Sequence, residues 1–228
     1  MTETPRARLN RESVLRAAAA LADEIGIDAL SMRRLAQELG VVPMALYKHV
    51  ANKEELLDGL IEIVVGEIDP PQAGIPWREA VRARVLSARD VLLSHTWARR
   101  VLETRVNQTP AVLGYMESFI GMFLAGGLSV DLTHHVMHAL GSRMWGFTQE
   151  LFDGSPAQPV APEQQAAMMA QMAAVYPNIL AVATVARHRS ETVVGYGCDD
   201  RFEFEFALDL MLDSFERLHE RGWTSLAR

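Results

Sequence analysis

The chain has 228 residues, of which 49% are apolar and 22% charged, and its formal net charge is −7. This composition is that of a folded globular protein, and the acidic balance argues against one that coats nucleic acid without regard to sequence. The single cysteine, Cys198, excludes an internal disulfide and a cysteine-based metal cluster. No apolar run reaches the length of a signal peptide or a membrane span, so we expect a cytoplasmic protein.

Four helices are predicted in the N-terminal part from capping residues and from apolar residues at helical spacing. They begin after Asn10, after Ser31, at Pro43 and after Asn52, and they end near Gly26, Gly40, Val50 and Ile68. The glycines at the ends suit the left-handed turn that closes a helix, and the proline suits a first helical turn.

The C-terminal part is also predicted to be helical, after the break "DPPQAGIP" at residues 69–76. The predicted helices are Trp77–Ser94, Trp97–Arg105, Pro110–Ala125, Ser129–Leu151, Glu163–Val175, a short one after Pro177, and a last one from Asp199 or Asp200 to Arg221. The Pro- and Gly-rich segment Phe152–Pro162 is predicted to be a loop. We place the domain boundary near residue 70, with domains 1–70 and 71–228 and with helix 52–68 shared between them.

One segment gives conflicting signals. "RFEFEF" (Arg201–Phe206) alternates as a strand would, but Phe204, Leu208 and Met211 continue the apolar pattern at helical spacing. We predict a helix here, and therefore an all-α protein.

The turn "LGV" (Leu39–Val41) between the second and third helices predicts a helix-turn-helix, whose second helix enters the major groove of DNA. Positive charge is concentrated there: residues 33–53 contain four cations against Glu38 alone, whereas from Ile61 onward 14 arginines face 20 acidic residues. The alternative is a three-helix unit whose polar residues are merely solvated. The candidate DNA-binding residues are Ser31, Arg33, Pro43, Met44, Ala45, Tyr47, Lys48, His49 and Lys53.

The segment Leu9–Leu60 resembles the N-terminal DNA-binding domain of the tetracycline-repressor (TetR) family. The pattern "E-x-G-x-x-x-L-[ST]-x-R-x-[LI]-A" matches Glu24–Ala36, and "L-G-V-x-x-x-x-L-Y-x-H-[VF]-x-[ND]-K-x-x-L-L" matches Leu39–Leu57. The resemblance implies a one-component, homodimeric transcription regulator, usually a repressor, that leaves a near-palindromic operator when a small, largely apolar inducer binds. It also implies a larger C-terminal ligand-binding and dimerisation domain, in which helices 129–151 and 200–219 pair across a two-fold axis.

The inducer site is predicted from polar, aromatic and methionine residues among apolar neighbours of the C-terminal domain, although most of the methionines can equally be ordinary core residues. The candidates are Trp97, Arg105, Asn107, Tyr115, Phe119, His134, His138, Met144, Trp145 and Met172. The histidines at 134 and 138 lie one helical turn apart, a spacing that can hold zinc, but no nearby carboxylate completes a site, so no metal or cofactor is predicted. Where the tetracycline repressor has a metal-binding histidine this chain has Val101, so the resemblance does not extend to a tetracycline–Mg²⁺ inducer.

Neither a nucleophile elbow nor a phosphate-binding glycine loop is present, so we do not expect an enzyme. Two alternatives to an inducible repressor stay open. The first is an activator, or a regulator that needs its ligand as corepressor. The second is a helical small-molecule-binding protein with a relict DNA-binding head.

Overall fold

A computed structural model describes residues 9–105, 108–146, 162–185 and 200–227 of the chain. Every regular element in these ranges is helical, which confirms the predicted all-α class. The α-helices are α1 Arg11–Ile25, α2 Met32–Glu38, α3 Pro43–Leu46, α4 Lys53–Glu67, α5 Trp77–Ser94, α6 Ala98–Thr104, α7 Pro110–Ala125, α8 Val130–Gly146, α9 Pro162–Val175, α10 Pro177–Val185 and α11 Asp200–Glu220, followed by a 3-10 turn at Ser225–Ala227. None of the helices within the described ranges is long and apolar enough to cross a membrane.

The chain divides into two compact units, one formed by residues 1–139 with 216–228 and the other by residues 140–215. Helices α8 and α11 each contribute residues to both units. The domain boundary near residue 70 separates a predicted DNA-binding part from a predicted ligand-binding part, not two compact units. It stays a prediction.

Helix α1 starts with a reciprocal cap. The side chain of Asn10 accepts a hydrogen bond from the Ser13 backbone N–H at 2.8 Å, and the Ser13 hydroxyl lies 3.0 Å from the Asn10 backbone N–H, which donates to it. Together these bonds satisfy two backbone donors that a helix start otherwise leaves open. The apolar stripe of the helix, including Val14, Leu15 and Ala18, is buried.

Helix α4 is the central element of the first unit, because it contacts α1, α5, α6 and α7. Its cap is Asn52, whose Oδ1 accepts from the Glu55 backbone N–H at 2.8 Å. At Gly59 an added Cβ atom would lie 2.5 Å from the side chain of Leu15, so glycine permits the close approach of α1 and α4. Leu56 and Leu60 are fully buried beside it.

The core around α4 continues past residue 70. Trp97, Ala98 and Val101 belong to the same buried cluster as the apolar residues of α1 and α4. Helix α6 is thus part of the hydrophobic core that holds the N-terminal helices together.

Local signals predicted several helix bounds correctly and one wrongly. Helices α5 and α7 have the predicted bounds, and "RFEFEF" is helical, as predicted. Helix α3, however, ends at Leu46 rather than near Val50, because the His49 backbone N–H bonds to the Leu46 carbonyl in a turn that leads to the extended cap at Asn52. Residues 147–161, which contain the predicted end of α8 and most of the predicted loop, lie outside the described residues.

The C-terminal segment is attached to the first turn of α8. The carboxylate of Asp131 accepts hydrogen bonds from the Ser225 backbone N–H and hydroxyl, both at 2.7 Å, and from the Thr224 hydroxyl at 3.0 Å. The backbone N–H of Ser225 contributes most to lowering the pKa of Asp131, because each of these bonds favours the charged carboxylate.

A buried histidine connects three segments of the first unit. His95, directly after α5, lies 2.8 Å from Asp23 of α1 through Nδ1 and 2.9 Å from Glu67 of α4 through Nε2. Trp97 Nε1 also donates to Asp23, at 2.6 Å. Because both partners of the imidazole are carboxylates, both ring nitrogens must donate, which requires the imidazolium form.

We predict that this histidine makes stability fall as pH rises. Burial lowers the pKa of His95, but the hydrogen bonds and charges of Glu67 and Asp23 outweigh burial and raise the pKa above its ordinary value of about 6.5. The contribution is therefore complete below the unfolded-state pKa and is lost as pH rises through the folded-state pKa. In urea unfolding, the midpoint should fall over that window, and His95→Gln should have a lower midpoint at acidic pH and a flatter profile.

The control is His49→Gln, which changes a half-buried histidine of the same unit whose ring forms no hydrogen bond within the described residues. This control should keep the wild-type pH profile. An unchanged profile in His95→Gln would contradict the assignment of an imidazolium to this position.

Candidate nucleic-acid interface

The turn between α2 and α3 is fixed by backbone hydrogen bonds. The Gly40 N–H bonds to the Gln37 carbonyl at 3.1 Å, and the Val41 N–H bonds to the Ala36 carbonyl at 2.9 Å. With Gly40 at φ 63°, this is the Schellman arrangement that closes a helix with a left-handed residue. The chain leaves α2 in one defined direction and enters α3 at Pro43.

Helix α3 and the turn that follows it have one buried side and one exposed side. Leu46 is fully buried and Val50 nearly so, whereas Met44 is 71% exposed and Tyr47 43%. Of the nine predicted DNA-binding residues, Ala45 and His49 are half-buried, and the other seven are exposed. Ser31 also caps α2, since its hydroxyl accepts from the Arg34 backbone N–H at 3.2 Å.

The cations around this turn differ from the other cations of the N-terminal helices. Arg11 and Arg16 of α1 pair with Glu62 at 3.0 Å and with Glu12 at 2.9 Å, and Arg100 of α6 pairs with Asp28, which lies between α1 and α2. In contrast, Arg33, Arg34, Lys48 and Lys53 form no ion pair within the described part of the chain. Their positive charge is exposed and remains available to an external anion.

Two family models match the chain. "Bacterial regulatory proteins, tetR family" matches residues 14–60, and "Tetracyclin repressor-like, C-terminal domain" matches residues 70–218. The chain belongs to the TetR family. This confirms the resemblance of Leu9–Leu60 and makes the protein a member of a family of DNA-binding transcription regulators that are not enzymes.

Relatives of the chain include characterised TetR-family members. The tetracycline repressor protein class D of Escherichia coli is 45% identical over 106 residues, which are 45% of this chain and 49% of the relative, so the match spans about half the length of that protein. Apo ActR from Streptomyces coelicolor has a similar structure, with a TM-score of 0.70 and 26% identity over 95% of this chain and 99% of ActR. A second structure, ActR in complex with actinorhodin, gives a TM-score of 0.66 and 28% identity over 92% and 98% of the two chains.

Two predicted ligand residues contact the N-terminal helices of this TetR-family chain. Trp97 is buried in the core beside α1 and α4. Arg105 reaches α4, with its guanidinium 2.6 Å from Glu54 and 3.0 Å from Asp58. Both side chains hold α6 against the helices that carry the predicted DNA-binding residues, and we do not include them in the ligand site proposed below.

Other predicted ligand residues lie together along α7 or α8. The rings of Tyr115 and Phe119 stack with centroids 5.8 Å apart, and Phe119 meets Phe123 edge to face at 5.6 Å. The exposed rings of His134 and His138 are 4.6 Å apart, but no group of three metal-ligating side chains occurs among the described residues.

The remaining ligand candidates are separate from these clusters. Met172 is half-buried on α9, in the second unit. Asn107 and the side chains of Met144 and Trp145 lie outside the described part of the structure. Val101 is buried in the core, so its position offers neither a metal ligand nor an exposed surface.

Sequence reasoning missed Arg84 as a candidate. Its side chain is 7% exposed, although it is charged. Its neighbours at helical spacing, Val81 and Ala88, are apolar and buried, so a cation on the apolar stripe of α5 was a signal in the sequence.

We predict opposite effects for alanine at two glycines, one in the turn of the candidate interface and one in the last turn of α4. Gly40→Ala should reduce the free energy of unfolding by about 1–2 kcal/mol, because a side chain is strained at positive φ. Gly66→Ala should raise it by about 0.5–1 kcal/mol, because Gly66 lies in α4 with open space around an added Cβ. Urea unfolding followed by circular dichroism measures both values, and a Gly40→Ala protein as stable as wild type would contradict the described turn.

Proposed function

We propose that the protein is a homodimeric one-component transcription regulator, most simply a repressor, that binds a palindromic operator through α3. The observation that carries the proposal is a group of exposed cations on and beside the helix-turn-helix that form no ion pair with any described residue: Arg33, Arg34, Lys48 and Lys53. A protein of net charge −7 repels DNA over most of its surface, so a local cationic face would orient it on the duplex.

The side chains of α3 suit readout of the major groove. Met44 and Ala45, in the helix, can contact thymine methyl groups, and Lys48 can reach guanine or a phosphate. We assign phosphate contacts, which fix the register on DNA, to Tyr47, His49, Lys53, Ser31 and Arg33.

A second copy of the chain would cover an apolar stripe on α11. Phe202, Phe206 and Leu210 lie four residues apart on this helix, and each is about half exposed. The opposite stripe of α11, with Phe204, Leu208 and Leu212, is already buried. A helix with two apolar stripes needs two partners, which supports a dimer built from α8 and α11.

The release mechanism rests on helix α4. It carries Asn52 and Lys53 at the start, beside α3, and it contacts α6 and α7 further along. An inducer that prefers a different position of α7 would favour a different position of α4 and so change the distance between the two heads of the dimer. The complex of ActR with actinorhodin supports a small-molecule ligand, and the aromatic residues of α7 suit one that is largely apolar.

We predict that Lys48→Ala weakens operator binding and leaves the fold intact. With a duplex operator selected from random DNA, the dissociation constant measured by fluorescence anisotropy should rise at least about tenfold, since a contact to a charged group contributes roughly 1.5–3 kcal/mol. If Lys48 binds a phosphate, the slope of log affinity against log salt should also fall by about one per contact.

Arg16→Ala is the matched control, because it removes one exposed cation from α1 that already pairs with Glu12. Its operator affinity should stay within about twofold of wild type. Unchanged affinity in Lys48→Ala and in Tyr47→Ala would favour the relict-head alternative. A ligand that tightens operator binding would favour the corepressor alternative.

A further inference from the structure

The guanidinium of Arg84 is buried and has no carboxylate partner among the described residues. Its Nη1 donates to the backbone carbonyl of Asp69, its Nη2 donates to the Ser118 hydroxyl at 3.3 Å, and its Cζ lies 4.8 Å from the centroid of the Tyr115 ring. Arg84 forms no ion pair within the described residues, and its Nε is buried without an acceptor. The side chain of Asp69 is exposed and acts on Arg84 only through its charge.

This environment is unfavourable for a positive charge. Desolvation lowers the pKa of Arg84, and the charges of Tyr115 and Asp69 oppose that effect only partly. Arg105 of the same unit also has a buried Nε without an acceptor in the described residues, but two carboxylates within 3.0 Å of its guanidinium balance its charge. A buried cation that lacks such a counterion destabilises the ligand-free protein, and an arriving anion would remove part of that cost.

Tyr115 cannot supply the missing negative charge. Burial raises the pKa of its hydroxyl to about 12, so the group stays neutral at physiological pH and remains a hydrogen-bond donor. That hydroxyl is itself buried without a partner within the described residues. Arg84 Nε and the Tyr115 hydroxyl are therefore two unused donors on neighbouring side chains.

The surroundings of these donors are aromatic. Tyr115 stacks on Phe119, Phe119 meets Phe123, and Phe123 lies 5.8 Å from Trp77 of α5 by ring centroids. A ligand held here would place an acidic group at the donors and a flat apolar skeleton along the aromatic rings.

We propose that Arg84 and Tyr115 form the anchor for an acidic group of the inducer, which is a planar aromatic acid. The proposal rests on the proposed function, since it names the ligand class of the regulator. It also identifies a route to α4: Arg84 holds the carbonyl of Asp69, two residues after α4 ends at Glu67. An anion that competes for the guanidinium weakens the bond from Arg84 to the Asp69 carbonyl. This bond lies just after the end of α4, the helix that begins beside the helix-turn-helix.

Two fluorescent dyes that share an aromatic skeleton and differ by one sulfonate group test the proposal on the full chain. The anionic probe is 1-anilinonaphthalene-8-sulfonate, and the neutral probe is N-phenyl-1-naphthylamine, which lacks the sulfonate. Arg84→Gln should weaken binding of the anionic dye about tenfold or more and change binding of the neutral dye less than about threefold. Arg82→Gln, on the same helix, removes the same charge from a half-buried position and should change neither affinity.

Tyr115→Phe keeps the test decisive if Arg84→Gln does not fold. It removes only an unpartnered hydroxyl, so thermal stability should be unchanged or higher, while affinity for the anionic dye should fall about threefold or more. Equal loss of both dyes in these variants, unchanged affinity for the anionic dye, or no saturable binding of that dye to wild type would each overturn the proposal.

These measurements contain no DNA, so the two hypotheses can fail separately. If the protein binds an operator but Arg84→Gln does not selectively weaken the anionic dye, the inference is wrong and the proposed regulator function stands. If Arg84→Gln selectively weakens the anionic dye but no operator is bound, the anion site stands and the proposed regulator function is wrong.

Discussion

Burial of helix α4 on several sides is the constraint on which the rest of the first unit depends. Leu56, Leu60 and Ile61 are fully buried, and the helix contacts α1, α5, α6 and α7. A movement of α6 or α7 would therefore act directly on α4, the helix that begins next to α3. The close packing at Gly59, where an added Cβ atom would meet Leu15, leaves no free space between α1 and α4 at this point.

Polar contacts around α4 have a clear division of roles. At its start, Arg105 binds Glu54 and Asp58, and at its end His95 binds Glu67. These contacts neutralise the charges of Arg105 and His95, whereas Lys48 and Lys53 form no ion pair within the described residues. The cations of α1 and Arg105 are thus held in internal pairs, whereas the cations beside the helix-turn-helix are exposed and available to a polyanion.

The parts of this structure that were predictable from sequence are those set by neighbours along the chain. Helix α7 begins at Pro110 after its Thr109 cap, and α2 ends at Glu38 just before the left-handed Gly40, because caps, prolines and glycines act locally. The hydrogen-bond partners of Arg84 and His95 were not predictable from neighbouring residues. Those of Arg84 lie 15 and 34 positions away, and those of His95 lie 28 and 72 positions away. The same limit applies to Trp97 and Arg105, whose contacts with α1 and α4 join positions far apart along the chain; their place in a ligand site stays a prediction.

The central claim is that two copies of the α2–α3 element read DNA as a symmetric pair. Hydroxyl-radical footprinting of the full chain on duplexes selected from a random pool tests it most directly. The account predicts two protected half-sites of related, inverted sequence, with centres about 34–36 Å apart, one turn of B-DNA, or a multiple of it. Protection of one unsymmetrical site, or no enrichment of any sequence at micromolar protein, would contradict it.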